Sequence, residues 1–548
     1  MESCIWGFAG MAKTSVHPML VLALAMAGLT PLASASEWLT FGHDPQRSGW
    51  NEAETTLTPA NVGRLKLLWN TQLPTPPQDV ALSTLTSPLV AEAVETAQGR
   101  KDLVFTVGID DTIFAIDAVS GKIFWQKNFP NPGKPMRPAT SNCANTEQAT
   151  PVIDKNAGVI YFTMSDGKLR GLSLASGEER LTPMPFVAPY SRNWSLNLVG
   201  GVVYTAAGRG CGGDAAQPIE PGSVSAMDIG DHPQLSRFLT GRGRPAGPWG
   251  RGGPVAGPNG LYIQTADGNH DPAAGIYGNA VIAVAPKAYG IADSFTPANW
   301  KLLNAKDLDL GSGGPMIFPF KDRTLLATSS KEGVVYVLDT KNLGGGAPDH
   351  AKPLYQSPRL GNDEESYWGR GVWGEISTYQ SPSGERYLYV PMWGPPGKDG
   401  FQFPRNAGPA PHGSIMALQV VESGQVISLT PQWISRDLAV PDNVAVANGI
   451  VFAVQTGEQT AQHFTNPEGH GQARAGEQSE TVATLSKFRS TPLNPMVLYA
   501  FDAVTGKELY SSGKQLKDWV HFSQPTVALG KVFLVSHDAH VYAFGLKQ

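Results

Sequence analysis

From about residue 100 the chain repeats one unit eight times, and that repetition limits the folds open to it. The unit is an apolar strand ending in small residues, a short turn with Asp, Gly or Ser, a second strand, an Asp-x-x-x-Gly turn, and a third strand. Its clearest copy is LVFTVGIDDTIFAIDAVSGKIFWQ, Leu103 to Gln126. Further copies start at Val159, Val202, Leu261 and Leu325. Three more run through YLYVPMWG with HGSIMAL to Leu418, IVFAVQTG with MVLYAFDAVTGKELY to Tyr510, and KVFLVSHDAHVYAF at the end. Phe105 and Phe533 hold matching positions in the first and last copies. The mean period is therefore about 61 residues, longer than the ~40–50 of a bare four-stranded blade, and implies inserted loops.

Alternating apolar and small residues, β-branched enrichment and tight turns make each unit a small antiparallel sheet. One such sheet cannot bury both faces, whereas eight arranged radially can, so the expected fold is all-β, an eight-bladed β-propeller. The last copy stops at Phe544 without a third strand. LTPANVGRLKLLWNTQL, Leu57 to Leu73, ends in the Trp-bearing pattern seen at Trp125, so the two termini are expected to share one blade and close the ring. In DAVSGK (Asp117 to Lys122) and DAVTGK (Asp502 to Lys507), Asp accepts backbone hydrogen bonds and Gly takes positive φ. Trp69, Trp125 and Trp433 are expected to pack between neighbouring blades.

The N-terminus carries one basic residue, Lys13, then the apolar run Met19 to Leu32 and Ala33-Ser34-Ala35. This reads as a secretory signal peptide, residues 1–35, cleaved before Ser36. The expected mature chain, 36–548, is a single propeller domain, periplasmic or secreted, with no other run long and apolar enough to span a membrane. Cys4 leaves with the leader. Cys143 and Cys211 remain and are expected to form one disulfide, while CxxC metal sites and covalent CxxCH haem are excluded. A net charge of −5 offers no basic excess for coating nucleic acid.

WLTFGHDPQRSGWNEAETTLTPANVGRLKLLW and the repeats AIDAVSGKIFW and AFDAVTGKELY resemble the pyrroloquinoline-quinone (PQQ) dehydrogenase superfamily of eight-bladed propellers, over about residues 37–548. The resemblance implies PQQ with Ca2+ or a lanthanide, an alcohol substrate, small or polymeric, and an external electron acceptor such as a cytochrome c. PWGRGGPVAGPNGLYIQTADGNHD is similar to the segment holding an aromatic floor and a metal-binding amide, which implies Trp249 as floor and Asn269 as metal ligand. DGNHD also reads as an ordinary Asx-rich loop. KDLDLGSGG resembles a Trp-Asp-x-Asp segment, which implies Asp307 as general base and metal ligand and Asp309 as a further ligand, with Lys306 in place of the Trp. Two carboxylates two apart on an extended strand point the same way, although the same pair reads equally as solvated turn residues. TSSKEGVVYVLD implies Lys331 as the cation facing the quinone oxygens, where many members have Arg. WGRGVWGEIS, from Trp368, implies Trp373 as a wall of the cofactor site.

Several positions depart from that pattern. The adjacent-cysteine pair is absent, Cys143 being followed by Ala144, and TEQATPVIDKNAGVIYFT has no arginine. The metal-binding Glu has its nearest counterpart in Glu220, with Asp214 second. Two functions therefore compete: a PQQ-dependent alcohol dehydrogenase, and a cofactor-free propeller serving as a protein- or polymer-binding scaffold. A hydrolase lacks support, since neither GxSxG nor HExxH occurs. The stretch Phe401 to His412 and the insertion Gln459 to Pro495 are expected to cover one end of the channel.

Overall fold

Eight antiparallel sheets surround one axis in a computed structural model that describes residues 36–78, 83–140, 143–147, 149–208, 210–214, 218–242, 246–365, 369–458 and 495–547. The expected leader, Trp368 and nearly all of the insertion from Gln459 lie outside the described residues. The innermost strands are Leu89–Thr96, Val152–Asp154, Asn197–Val199, Val255–Gly257, Met316–Phe320, Ser377–Gln380, Ala445–Ala447 and Thr526–Ala528, and they define blades 1 to 8 in that order. Within a blade the strands follow outward in sequence, as in Leu89–Thr96, Gly99–Gly108, Thr112–Asp117 and Ile123–Asn128 of blade 1. Blade 8 takes its outer strand from the other end of the chain: Lys66–Gln72 runs antiparallel to His540–Gly545, with Trp69 opposite Ala543. The closure read from the sequence is thus present, and blade 8 has its full complement of four strands.

The core lies between blades. Val255, Tyr262 and Val281 of blade 4 form one cluster with Ile317, Leu326 and Leu338 of blade 5. Tyr389, Ala417 and Trp433 of blade 6 do the same with Val446, Val451 and Tyr499 of blade 7. The repeated turn supplies a second, directional joint. Trp69, Trp125 and Trp433 each donate their indole N–H to a carbonyl of the next blade, Ala118 at 3.3 Å, Leu174 at 2.9 Å and Ala503 at 3.0 Å. Beneath the rings lie Gly121, Gly177 and Gly506, at φ 72°, 67° and 72°. A Cβ there would fall 2.6, 2.9 and 2.5 Å from indole carbons, so both the backbone conformation and the close approach demand glycine. Asp117 and Asp502 fix these turns by accepting from the backbone N–H and hydroxyl of Ser120 and of Thr505.

The segment before the outer strand of blade 8 has a role the repeats do not announce. Residues 38–51 run around the inside of the ring and bond to the innermost strand of every blade in order. Trp38 exchanges two 2.9 Å bonds with Val90, Leu39 O accepts from Ile153 N, and Thr40 donates to Leu196 O. The carbonyls of Pro45, Gln46, Ser48 and Gly49 then accept from Ala256, Ile317, Thr378 and Val446, and Asn51 Nδ2 donates to Val527 O at 2.8 Å. Arg47 sits at the centre of this thread, 1% exposed, and donates to the carbonyls of Phe41, Leu196 and Gly252 and to Thr40.

Cys143 and Cys211 are bonded, with Cα atoms 5.3 Å apart, and join the loop after blade 1 to blade 3. In the stretch from Phe401, Arg405–Asn406 adds a parallel pairing to the outermost strand of blade 6, and Phe401 and Phe403 pack on the apolar cluster shared by blades 5 and 6.

Candidate functional site

Antiparallel alternation brings the start of each innermost strand and the end of the next strand to one end of the ring, and the candidate residues stand at those ends. Asp267 lies three residues beyond Gly260–Gln264 of blade 4, and Lys331 three residues beyond Arg323–Thr328 of blade 5. Between them the helix Trp300–Lys306 ends at Asp307, whose left-handed conformation (φ 54°, ψ 40°) stops the helix. Aspartate tolerates this region better than most side chains. Asp309 follows and enters a short 3-10 turn, so the pair is not on the extended strand expected. Both carboxylates nevertheless reach the same ammonium: Lys331 Nζ lies 3.0 Å from Asp307 Oδ1 and 2.8 Å from Asp309 Oδ2.

Asp267, Asp307 and Asp309 each offer an oxygen within 4.8 Å of the others. Two amides hold the loops in register. Asn279, fully buried, donates to Asp267 Oδ1 at 3.3 Å and accepts from Leu310 N at 2.9 Å, and Asn304 accepts from Gly268 N. Burial and the neighbouring Asp309 and Asp307 charges push the Asp267 carboxyl up to about 9. Asp307 is raised to about 6 by burial, with Lys331 opposing. Asp309 is also buried, but the Lys331 charge and hydrogen bonds hold it below the ordinary carboxylate range. Three carboxylates facing one ammonium exceed it in charge, and Asp267 keeps its proton as a result.

The aromatic wall stands beside this group. Lys331 Nζ lies 4.8 Å from the Trp373 ring centre and 5.3 Å from that of Trp249, and the two indoles meet edge to face at 5.7 Å. Trp373 stacks on Trp393 at 5.0 Å, Trp393 on Phe522 at 6.3 Å, and the Arg251 guanidinium caps Phe522. Beyond Phe522 a small cavity of about 20 Å³ is lined by Ser87, Glu147, Thr150, Ser195, Arg251 and Trp194, with Phe41 of the thread at its wall. Below the wall, Glu375 accepts from Gly252 N and Asn443 Nδ2. Burial raises it to about 7 against the pull of Arg47.

The structure therefore brings together Trp249, Asp307, Asp309, Lys331 and Trp373. It does not bring in Asn269, which lies exposed two residues past Asp267 and just before the ribbon His270–Asp271 with Ile276–Tyr277. Asp267 stands where the amide was expected. Glu220 is also elsewhere, because blade 3 occupies it: Ala188 N and Ser223 Oγ donate to it, and Arg237 lies 3.3 Å away. Asp214 sits beside Gly133. Asp267 and Asn279 were missed, yet the repeat register could have found Asp267, since TAD and SSK hold equivalent places after equivalent strands.

The donor set is all oxygen, which suits a hard cation such as Ca2+ or a lanthanide, and such an ion would replace the proton on Asp267. The indoles of Trp249 and Trp373 beside the Lys331 ammonium offer the flat apolar faces and the positive charge that suit an aromatic, electron-poor quinone.

The sequence matches the family model described as outer membrane protein assembly factor BamB over residues 66–184. No curated protein matches the chain. Among solved structures, a europium-containing methanol dehydrogenase is 13% identical and aligns over 93% of this chain and 98% of its own, with a TM-score of 0.58. The quinohemoprotein alcohol dehydrogenase of Comamonas testosteroni is 14% identical over 94% and 82%, with a TM-score of 0.57. That named ADHIIG, from Pseudomonas putida HK5, is 14% identical over 93% and 80%, with a TM-score of 0.56. At such identities the likeness defines a fold. The chain has the eight-bladed propeller fold of these dehydrogenases.

Proposed function

We propose that the protein is a periplasmic or secreted oxidoreductase that oxidises an alcohol with PQQ and Ca2+ or a lanthanide, passing electrons to an external acceptor such as a cytochrome c. One observation carries this reading: Asp267, Asp307, Asp309 and Lys331 converge from blades 4 and 5 beside Trp249 and Trp373. Asp267 and Asp309 would hold the cation, with Asp307 beside it, and Trp249 and Trp373 would hold the quinone. When bound, the quinone and its cation supply a two-electron acceptor for the carbinol hydride. Asp307, about a third exposed and raised to about 6, is ionised at neutral pH and takes the hydroxyl proton at Oδ2, because Oδ1 is engaged by Lys331. Lys331 holds Asp307 and Asp309 in place and keeps an ammonium against both indoles. The indoles exclude water from one side of the group. No helix among the described residues is long and apolar enough to cross a membrane.

The test is reconstitution of purified protein with PQQ and Ca2+ or La3+, followed by dye reduction with primary and secondary alcohols. Saturable PQQ binding with alcohol-dependent turnover supports the reading. Absence of PQQ binding turns it to the second reading, a scaffold propeller for protein or polymer, which the BamB-type match over residues 66–184 and the missing cysteine pair favour.

A further inference from the structure

The thread begins and ends at one buried carboxylate. Glu54 is 1% exposed. Its Oε1 accepts from the backbone N–H of Thr56 and Leu57, and its Oε2 accepts from Gly530 N at 2.7 Å and Ser36 Oγ at 2.8 Å. The same Ser36 hydroxyl accepts from Leu529 N at 3.2 Å and faces Asn51 Nδ2 at 3.4 Å. Residues at the start of the thread, its end and the inner turn of blade 8 thus meet at a single point. The four groups that donate to Glu54 are all neutral. The nearby Glu37, by contrast, is paired with Lys155.

A buried carboxylate held by neutral donors gains from a nearby cation. Ser36 is the residue that follows Ala33-Ser34-Ala35. Covalent geometry keeps its backbone nitrogen within about 3–4 Å of its own hydroxyl, and so within about 6–7 Å of Glu54 Oε2. We infer that the Ala35–Ser36 bond is a processing site whose new α-ammonium pairs with Glu54 and latches the closed thread. In the step, a leader-removing peptidase adds water across the amide, leaving a carboxylate on Ala35 and an ammonium on Ser36. Before cleavage that nitrogen is a neutral amide. Processing therefore supplies a charge that the latch can use, and the ring reaches full stability only after the leader is gone. The inference is independent of the enzymatic reading.

The experiment is a two-by-two comparison of melting temperature. One axis is protein beginning at Ser36 with a free amine, released from a cleavable N-terminal fusion, against protein with its Ser36 amine acetylated. The other axis is wild type against Glu54→Gln. Acetylation is expected to lower Tm by several degrees in wild type and by little in Glu54→Gln. Equal shifts in both backgrounds, or none in wild type, overturn the pairing. If Glu54→Gln does not fold, the pH dependence of reductive methylation of the Ser36 amine in wild type decides. An amine that stays protonated to higher pH than in a free peptide of the same sequence supports the latch, and one that titrates like the peptide overturns it. Mass spectrometry of the exported protein must also find Ser36 first; any other mature N-terminus overturns the processing site.

Discussion

Lys331 and Asp309 form a buried ion pair, Nζ to Oδ2 2.8 Å, with side chains 5% and 9% exposed. Removing Lys331 alone strands the Asp309 carboxylate away from water, whereas removing Asp309 leaves Lys331 paired with Asp307. Lys331→Met is therefore expected to lower stability by about 3–5 kcal/mol, read from urea unfolding, and Lys331→Met with Asp309→Asn to recover part of that loss. A single substitution costing no more than an exposed pair would, about 0–1 kcal/mol, would show that the ammonium is not held there.

Asp267 gives the cation-free protein a definite pH dependence. Its folded pKa, about 9, lies above the ordinary value of 3.8, so between these limits the folded state keeps a proton that the unfolded state has lost. Stability must then fall as pH rises from about 4 to about 9, by up to about 1.4 kcal/mol per unit. Glu375 and Asp442, raised by burial to about 7 and about 6, add slopes of the same sign over shorter ranges. The Asp267 share is isolated by difference: Asp267→Asn should flatten the limb above pH 7, and saturating Ca2+ should do the same in wild type. Parallel pH profiles for the variant and wild type would remove Asp267 from the site.

Asp307→Asn keeps the shape of the proposed base and removes its ability to accept a proton. Turnover with alcohol should fall by about 10²–10⁴-fold, while PQQ titration retains its end point. Full turnover in this variant would leave cofactor binding intact and reassign the base.

The joint between blades 6 and 7 is testable without any ligand. Gly506→Ala drives a methyl group to 2.5 Å from Trp433 Cδ2 at a residue with φ 72°, and should cost about 2–4 kcal/mol in thermal or urea unfolding. The same change at Gly513, φ 57° with open space around it, meets only the backbone cost and should cost about 1 kcal/mol. Equal losses at both positions would mean that the indole contact contributes nothing.

The blades were legible because their signals are local: a period, an Asp that caps its own turn, a Gly that must bend, and a large apolar or aromatic residue four positions after it, as at Trp125, Leu181 and Tyr510. Asp307, Asp309 and Lys331 were legible through the resemblance of KDLDLGSGG and TSSKEGVVYVLD to family segments, and of the three only Lys331 stands just past a strand that the repeat marks. Asn269 misled because the loop after blade 4's second strand carries several Asx residues, and the one that faces inward is decided by strand register. The reading of Asp307 and Asp309 as a strand missed the left-handed helix stop, since a seven-residue helix leaves little periodicity to detect. The thread gave no signal at all. Most of its bonds use backbone carbonyls, which any residue provides, to partners as far away as residue 527.

That thread also acts as a measuring tape. From Trp38 to Asn51 it spans thirteen residue steps, coiled by turns such as the one that Gly49 N closes on Gly42 O, and within those steps it makes one stop per blade. A ninth blade would enlarge the circumference and leave one innermost strand without its stop, and the two ends that meet at Glu54 would be pulled apart. Repeat proteins ordinarily grow by copying a unit in place. Here a duplicated blade would have to arrive together with an insertion in residues 38–51, two coordinated changes in distant parts of the chain, so the number of blades is fixed by a segment that lies outside the repeats.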